Sequence, residues 1–377
     1  MPKIVTIKIP NTLYRKLFKK KEQDGFGNKS LNEYLQFLTK TINLTPTIHD
    51  YVQESTKTLL DMWIKNFSDN LPYIRFGNTL TMNINKYDAH NLSELALPEP
   101  TFENPSKHSA IVIGRGPSIF THKHLDLLSE AIKQGNYTGI ISSTDGMLIE
   151  CLKHDILPTL TTSVDGSPII QKWYDNPLVK GHGKNLKIAL STTVNHLVYQ
   201  TVRKMGCKIF WFHPMFDDPK EVEGLTRIQR MMTISDFNDK PIQALSCGGN
   251  SGASAWVMAM NLFKATPCCL IGIDFSYPEG TKLEDTPYFS SFIKASKGKV
   301  DSLSEVYKKI YHPIFKSYAY IDAVFQGYKQ TFLEYQEMTP AWYRYYDGTI
   351  NATEGGALWG RGITCMSFKQ FLEKYKK

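Results

Sequence analysis

The sequence lacks the features that mark membrane proteins, secreted proteins and zinc-knuckle proteins. Its six cysteines form no Cys-x-x-Cys pair, which argues against both a structural zinc site and a disulfide framework. No apolar run is long enough to cross a bilayer, and the first residues, Met1-Pro2-Lys3-Ile4, lack the apolar core of a signal peptide. We therefore expect a cytoplasmic protein without a membrane span.

What the sequence does contain is an ordinary globular composition with an uneven charge. The 377 residues, 42% hydrophobic and 21% charged, can bury a large core and form more than one domain. The net charge is +8, and residues 1–44 alone carry nine Lys or Arg against three Asp or Glu. This basic excess at one end predicts a separate N-terminal module.

Residues 1–44 have the pattern of one strand followed by two helices. Residues 4–9 alternate as a short strand, and Ser30 with Glu33 has the capping-box spacing of a helix start. The order resembles a ribbon-helix-helix module, a family in which two chains pair their strands and the ribbon enters the DNA major groove. We expect a homodimer, with DNA binding as an alternative that basic charge alone does not specify. Residues 45–106 are predicted to be a helical connecting region.

From residue 107 to 377 the pattern changes to alternating strands and helices. This alternation predicts a Rossmann-like, doubly wound and mostly parallel α/β sheet. The predicted strands cover residues 110–113, 139–142, 160–164, 187–190, 208–212 and 268–273. Open sheets of this kind bind ligands beyond the carboxyl ends of their strands, so polar residues at those ends are the candidates for a site.

The first predicted strand runs into a glycine-rich turn. Gly114 and Gly116 would let the backbone approach a phosphate closely, Ser118 would add a hydroxyl and Arg115 a positive charge. We therefore predict that this turn, including Pro117, binds a nucleotide. The alternative is a tight structural turn.

Three of the predicted strands end in an aspartate. Asp145 with Gly146 follows the second strand, Asp165 follows the third, and Asp274 follows the sixth. Because parallel strands end at one edge, we predict that at least one of these carboxylates contacts the ligand or a metal, and we assign all three to catalysis and nucleotide binding. The alternative for each is a helix cap.

A second Gly/Ser-rich segment precedes the sixth strand. Residues 246–254 are predicted to open a helix, and the helix N-terminus suits an anion or a ribose. The candidates for nucleotide binding here are Gly249, Asn250, Ser251 and Gly252. Close packing of small residues against the sheet is the alternative.

The last third of the chain is rich in tyrosine. The spacing of Val306, Ile310 and Ile314 predicts a helix, and the tyrosines nearby either pack or line an acceptor cleft. His312 in this segment and His213 after the fifth strand are candidates for a general base, although a lone histidine is usually structural.

Taken in chain order, these motifs resemble the MptE-like/Maf family, which shares features with bacterial sialyltransferases. The resemblance covers about residues 107–370. It rests on Gly-x-Gly-Pro-Ser, Asp-Gly and Val-Asp-Gly after the first three strands, Gly-Gly-Asn-Ser-Gly before a helix, Gly-Ile-Asp-Phe after the sixth strand, and Asn-Ala-Thr-Glu-Gly-Gly-Ala near the end.

The resemblance implies one of two activities. One branch is linked to glycosylation with a CMP-nonulosonate sugar donor, and the other transfers pyrophosphate from ATP to 6-hydroxymethyl-dihydropterin with magnesium. The Phe-Trp-Phe-His-Pro run (residues 210–214) looks like the first branch. The third strand carries Ser163-Val164-Asp165-Gly166 where the pterin branch has paired carboxylates, which weakens a magnesium–triphosphate clamp.

The sequence thus predicts a glycosyltransferase that uses a nucleotide-activated sugar. The acceptor would be a glycan, a protein or a small molecule. The alternatives are the magnesium- and ATP-dependent pyrophosphokinase, with Asp165 as metal ligand if there is one, and a DNA-binding regulator that senses a nucleotide. The Gly-Ile-Asp-Phe motif has no nearby histidine, unlike the sialyltransferases, so the catalytic base stays open.

Overall fold

The computed structural model describes residue 19 and residues 46–75, 90–101, 103–104, 106–215, 224–233, 242–296, 306–345 and 347–376. For residues 46–58, 75, 295 and 345 only the backbone is described. The predicted ribbon-helix-helix module, residues 1–44, therefore lies outside the described residues except for Lys19. The homodimer and the DNA-binding alternative stay predictions.

A parallel sheet forms the centre of the molecule, and a small antiparallel sheet lies beside it. The strands are β1 (His90–Asn91), β2 (Ala110–Ile113), β3 (Ile140–Thr144), β4 (Leu160–Ser163), β5 (Lys187–Ser191), β6 (Lys208–Pro214), β7 (Ala244–Leu245), β8 (Cys268–Ile271), β9 (Tyr277–Pro278), β10 (Lys308–His312), β11 (Ser317–Ile321), β12 (Thr349–Asn351) and β13 (Ile363–Cys365). The order in the large sheet is β1-β6-β5-β4-β3-β2-β8-β12-β13, with β7 also beside β6, and every pairing in it is parallel. The predicted doubly wound α/β fold is confirmed.

Helices connect these strands and cover both faces of the large sheet. They are α1 (Pro46–Arg75), α2 (Ser118–Thr121), α3 (His124–Lys133), α4 (Leu148–Lys153), α5 (Pro177–His182), α6 (His196–Lys204), α7 (Leu225–Thr233), α8 (Ser251–Asn261), α9 (Phe289–Ala295), α10 (Ala323–Glu337), α11 (Ala341–Tyr345) and α12 (Phe368–Lys374). Short 3₁₀ turns occupy Leu92–Leu95, Asp145–Met147, Pro168–Trp173, Gly183–Asn185 and Leu283–Asp285.

Strand β2 shows why the buried strands are apolar runs in the sequence. All four of its residues are buried, because alternate side chains enter the two cores on either side of the sheet. Ala110 and Val112 pack in the core that contains α8. Ile111 and Ile113 pack in the core that contains α3 and α12.

Helix α1 is attached to the carboxyl edge of the large sheet by two buried asparagines. Asn66 Nδ2 donates to the carbonyls of Gly166 (2.9 Å) and Thr193 (3.0 Å). Asn70 Nδ2 donates to two more carbonyls in residues 192–194. The Asn70-Leu71-Pro72 run predicts that this helix stops there, but the helix continues to Arg75 with Pro72 inside it, so that prediction is wrong. Apolar residues of its last turns enter the core beneath, and these contacts offset the cost of the proline.

The helix predicted around residues 306–315 is wrong, because this segment belongs to the small antiparallel sheet. Residues 308–312 form β10, which pairs antiparallel with β11, and β11 pairs antiparallel with β9. The four-residue spacing of Ile310 and Ile314 matches a helix by coincidence. Ile310 lies on the strand, whereas Ile314 lies in the hairpin turn and is exposed.

Among the described residues, short strands form both edges of the large sheet. The outer side of β6 is paired first with β1 and then with β7, each of two residues. At the opposite edge lies β13, with three residues. In the described residues no helix is long and apolar enough to span a membrane.

Candidate active site

The order of the strands locates a crevice at the carboxyl edge of the sheet. From β2 the chain adds β3, β4, β5 and β6 on one side, and β8, β12 and β13 on the other. The carboxyl ends of β2 and β8 therefore flank the topological switch point, where open α/β sheets bind their ligands. The segments there are the turn of residues 114–118 after β2 and residues 272–274 after β8, which we call the β2–β8 junction.

The backbone N–H groups of the first glycine turn are used inside the β2–β8 junction. Gly114 N donates to Ile271 O (2.9 Å), and Gly116 N donates to Gly272 O (2.7 Å). A Cβ atom on Gly116 would lie only 1.8 Å from Asp274 Oδ2. The glycines are needed because two loops pack backbone to backbone. The turn therefore matches the structural alternative and does not present the open phosphate cradle that its spacing predicts.

The side chain of Asp274 connects the two segments of this junction. Its Oδ2 atom accepts hydrogen bonds from Ser118 Oγ (2.9 Å) and more weakly from Ser118 N (3.4 Å), next to Pro117 at the start of α2. Burial raises the pKa of the Asp274 carboxyl to about 7, against the opposing effect of these hydrogen bonds. The carboxyl is thus poised to exchange a proton near neutral pH.

Asp145 is held in a similar way at the end of β3. Its two oxygens accept hydrogen bonds from Gly146 N (2.7 Å) and Ser163 Oγ (2.7 Å). Burial raises the pKa of Asp145 to about 6, and the nearby negative charge of Asp165 acts in the same direction. Asp165 itself is exposed and accepts a hydrogen bond from Ser167 N (2.8 Å).

Arg115 links the ends of β2 and β3. Its side chain is exposed, and Nη1 donates to the carbonyl of Gly146 (2.6 Å). The guanidinium is therefore near Asp145, and its positive charge lowers the pKa of the Asp145 carboxyl. The contact places a positive charge at the end of β3, and its partner there is a backbone carbonyl.

The second Gly/Ser-rich segment leaves donors available at the first turn of α8. Asn250 caps the helix, since its Oδ1 accepts from Ala253 N (2.8 Å) and its carbonyl accepts from Ser254 N (3.1 Å). The N–H groups of Ser251 and Gly252 come earlier in the helix and have no intrahelical acceptor. Both residues are half-buried, so this helix start can bind an anionic group.

Thr144 lies on the face of the sheet that α8 covers. Ser142 Oγ and Thr162 Oγ1 donate to α8 atoms one and two turns further along the helix. Thr144 lies two residues after Ser142 and pairs with Thr162 in the sheet, so its side chain points to the same face. Its hydroxyl is buried and has no hydrogen-bond partner among the described residues. This donor was missed from the sequence, where nothing separates it from the other Ser and Thr residues of the strands.

Both histidine candidates are held by structural contacts. In His312, Nδ1 accepts from the N–H groups of Ile314 (3.3 Å) and Phe315 (3.2 Å), while Nε2 faces the Leu358 carbonyl at 3.4 Å. Its burial lowers the pKa to about 4. Both ring nitrogens are therefore engaged, which favours the structural alternative for His312.

His213 is likewise buried, at the end of β6. Its ring lies between Thr192 Oγ1 (2.8 Å) and Thr233 Oγ1 (3.0 Å). Burial lowers the pKa of His213 to about 3. The ring holds β5, β6 and α7 together.

The Asn-Ala-Thr-Glu-Gly-Gly-Ala loop after β12 packs on the β2–β8 junction. Ala357 N donates to the carbonyl of Asp274 (2.7 Å), and Gly356, with φ of 78°, approaches the same backbone. Glu354 reaches away to His124 Nε2 (3.3 Å). The loop therefore packs against the backbone of Asp274 and holds it in position.

A magnesium ion fits this site only with few protein ligands. No group of three or more His, Cys, Asp or Glu side chains in the described ranges could hold a metal. The oxygens of Asp145 and one oxygen of Asp274 already accept hydrogen bonds. Asp165, being exposed, fits as a single carboxylate ligand of an ion held mainly by substrate phosphates and water, which is common for magnesium.

A separate cavity of about 580 Å³ lies against the C-terminal half of α8. Its walls include Trp256, Met260, Lys264 and Tyr335. The three aspartates at the strand ends do not line it, and neither do the other residues predicted to bind the nucleotide. We therefore place the candidate site at the carboxyl edge of the sheet, on the chemistry of the residues there.

A large parallel sheet flanked by helices, with buried carboxyls at the carboxyl ends of its strands, defines an open, doubly wound protein of the α/β class. The model of the family 6-hydroxymethylpterin diphosphokinase MptE-like matches residues 78–280, and the chain belongs to this family. The resemblance in the sequence is thereby confirmed.

Two other comparisons complete the picture. A solved structure of the Maf glycosyltransferase from Magnetospirillum magneticum AMB-1 matches with a TM-score of 0.46 and 13% sequence identity. The match covers 74% of this chain and 37% of that one, so the chain spans little more than a third of that protein. A search of curated protein sequences finds no match.

Proposed function

We propose that this chain is a group transferase that moves a sugar from a nucleotide-activated donor of the CMP-nonulosonate type to an acceptor hydroxyl. The acceptor class is a glycan, a protein or a small molecule. The observation that carries the proposal is the environment of two carboxyls, Asp145 and Asp274, at the carboxyl edge of the sheet. Asp145 and Asp274 are buried and hydrogen-bonded, and burial raises the pKa of the first to about 6 and of the second to about 7.

Such carboxyls suit proton transfer better than metal binding. A metal clamp needs ionised carboxylates with oxygens open to the ion, whereas both oxygens of Asp145 and one oxygen of Asp274 already accept hydrogen bonds. Direct sugar transfer needs a base for the acceptor hydroxyl and positive or hydrogen-bonding groups for the departing phosphate. The site offers both.

We assign the base role to Asp274. The carboxylate would take the proton of the acceptor hydroxyl, whose oxygen bonds to the anomeric carbon as the bond from that carbon to the nucleotide phosphate breaks. Its pKa of about 7 matches this task. The histidine candidates do not, because the ring nitrogens of His213 and His312 are engaged in buried contacts.

The donor would bind across the end of β3. The first turn of α8, with the Ser251 and Gly252 N–H groups and the Thr144 hydroxyl, supports an anionic group on one face of the strand. Arg115 supplies a positive charge above the end of the same strand. A CMP-nonulosonate carries a phosphate and a carboxylate, and two separate anion-binding groups match it.

The second candidate is the magnesium-dependent pyrophosphokinase, which the name of the matched family favours. Asp165 would be the protein ligand of the ion, with Arg115 beside the phosphates. When bound, magnesium would neutralise the phosphate charge that develops in the transfer.

Nucleotide binding separates the two candidates. In a thermal-shift measurement with CMP, CDP, UDP, GDP, ADP and ATP at millimolar concentration, we expect cytidine nucleotides to raise the midpoint without magnesium, because a ligand of the folded state stabilises it by mass action. A shift by ATP that requires magnesium would favour the pyrophosphokinase. No shift by any of them would contradict a nucleotide site.

Thr144→Val tests the anion site at α8. Valine has nearly the same shape without the unpartnered hydroxyl, so we expect the ligand-free protein to gain about 1 kcal/mol of unfolding free energy. The affinity for the best nucleotide should fall roughly tenfold, the size of one lost hydrogen bond to a charged group. Isothermal titration and urea unfolding measure the two effects.

Ser163→Ala is the matched control for that substitution. It also removes one buried hydroxyl at the carboxyl edge, but this hydroxyl donates to Asp145, so the ligand-free protein should lose stability. Unchanged nucleotide affinity in Thr144→Val would sink the assignment of Thr144 to the ligand.

A further inference from the structure

Two cations meet on one tryptophan beside the candidate site. Trp173 is half-buried at the end of the 3₁₀ turn that follows β4. The Arg115 guanidinium carbon lies 4.3 Å from the centroid of its ring, and Lys172 Nζ lies 4.6 Å from the same ring. Arg115 comes from the turn after β2, so two distant loops contribute to this cluster, which we call the Arg115–Trp173–Lys172 cluster.

The positive charges of the cluster are not neutralised by a direct ion pair. Among the residues that the structure describes, no carboxylate lies within 4.0 Å of the charged nitrogens of Arg115 or Lys172. Asp145 is buried, and its carboxylate oxygens accept hydrogen bonds from Gly146 N and Ser163 Oγ. Asp165 is exposed and accepts a hydrogen bond from Ser167 N.

The geometry keeps the two cations close together. Both positive charges lie against the same ring, so they repel each other. Each contact with the ring is weak at an exposed position. A bound anion would reduce the repulsion between the two positive charges.

We propose that the Arg115–Trp173–Lys172 cluster binds the phosphate groups of the substrate nucleotide, with Trp173 as the residue that positions the two cations. The planar guanidinium suits a phosphate through two parallel hydrogen bonds, and lysine adds a mobile point charge. The cluster rests on the proposed function for the identity of the nucleotide, but its affinity for phosphate groups does not depend on the reaction.

Its position at the end of β3 supports this assignment. Gly146 lies two residues after Thr144, and a Cβ atom on it would contact Arg115 Cδ at 3.0 Å and the Trp173 ring at 3.9 Å. The cluster and the α8 helix start therefore lie on either side of the end of β3. A donor with a phosphate on one side and a second anionic group on the other would span the strand.

The test uses inorganic pyrophosphate, CMP and cytidine as probes in isothermal titration at low salt. We expect wild type to bind pyrophosphate, and Lys172→Gln and Arg115→Gln to weaken pyrophosphate and CMP roughly tenfold each, since each loses a charge-assisted hydrogen bond. Cytidine has no phosphate, so its affinity should stay unchanged. Lys180→Gln is the control, because Lys180 is an exposed lysine on the neighbouring helix α5.

Trp173 is tested as a positioning residue by two substitutions. Trp173→Leu should weaken pyrophosphate about as much as Lys172→Gln does, while Trp173→Phe keeps an aromatic face and should restore most of the affinity. Circular dichroism and the unfolding midpoint confirm that both variants are folded. Pyrophosphate affinity that is equal in wild type, Lys172→Gln and Trp173→Leu overturns the proposal.

The outcomes also separate this proposal from the proposed function. If pyrophosphate binds through the cluster but no nucleotide binds with higher affinity, the cluster is supported and the nucleotide-dependent function is contradicted. If CMP binds wild type and all variants equally, the nucleotide site stands and the cluster is contradicted.

Discussion

Gly272→Ala is expected to destabilise the protein by on the order of 3 kcal/mol or more. Gly272 has φ of 64°, and a Cβ atom there would lie 2.2 Å from the carbonyl oxygen of Gly114 and 3.3 Å from Cβ of Ile119. Gly114 belongs to the packed β2–β8 junction and Ile119 to the adjoining helix α2, so neither can move away without breaking the hydrogen bonds that close the junction. Urea unfolding of wild type and variant measures the difference.

Gly206→Ala is the control that separates the steric clash from backbone strain. Gly206 has a similar φ of 79°, but nothing lies within 4 Å of the position of its Cβ atom. Its substitution should cost only about 1–2 kcal/mol, the penalty of a left-handed conformation in alanine. Equal losses in the two variants would show that the junction is not tightly packed.

The second large effect is on the pH dependence of stability, through Asp274. The pKa of this carboxyl is raised from its usual 3.8 to about 7 by burial. Below about pH 4 the group is protonated in both the folded and unfolded states. Between pH 4 and pH 7 the folded state keeps the proton that the unfolded state has lost, so the contribution of Asp274 to stability falls as pH rises and is lost above its folded pKa.

Asp274→Asn should remove this dependence. Asparagine imitates the protonated acid, and its side-chain oxygen can still accept from Ser118. Relative to wild type, we expect the variant to gain about 2–3 kcal/mol of unfolding free energy between pH 5 and pH 8. It should also lose sugar transfer while still binding the nucleotide, because the proposed base is gone.

The control for this series is Asp165→Asn, since Asp165 is an exposed carboxylate at the same edge of the sheet. The difference in unfolding free energy between Asp165→Asn and wild type should change little between pH 5 and pH 8. If the difference between Asp274→Asn and wild type is the same at pH 5 and pH 8, Asp274 does not exchange a proton in this range.

The large sheet was predictable because its strands are buried on both faces. Apolar runs such as Ala110–Ile113 leave the sequence no amphipathic alternative, and the structure places β2 at the predicted residues. Strand β10 was not predictable in this way. Its Lys308-Lys309-Ile310-Tyr311-His312 segment is only partly buried, and its fold depends on pairing with β11.

The candidate site was predictable in its location but not in the state of its atoms. The strand ends identified Asp145 and Asp274, and the structure brings both to one edge of the sheet. The sequence does not show that Ser118 and Ser163 hold these carboxyls, since those contacts join residues far apart in the chain. Nor does it show that the Gly116 N–H is used up by Gly272. Trp173 was missed because it follows a turn and belongs to no motif.

The short strands at the sheet edges bear on how this protein behaves in concentrated solution. An exposed sheet edge invites strands of other molecules to add to it, which leads to aggregation. Here β6 is covered by two dipeptide strands in succession, and β13 offers three residues. An added strand would form few hydrogen bonds at either end. We therefore expect self-association through sheet extension to be weak, so that a homodimer would be built from other surfaces, with residues 1–44 the segment predicted to form it.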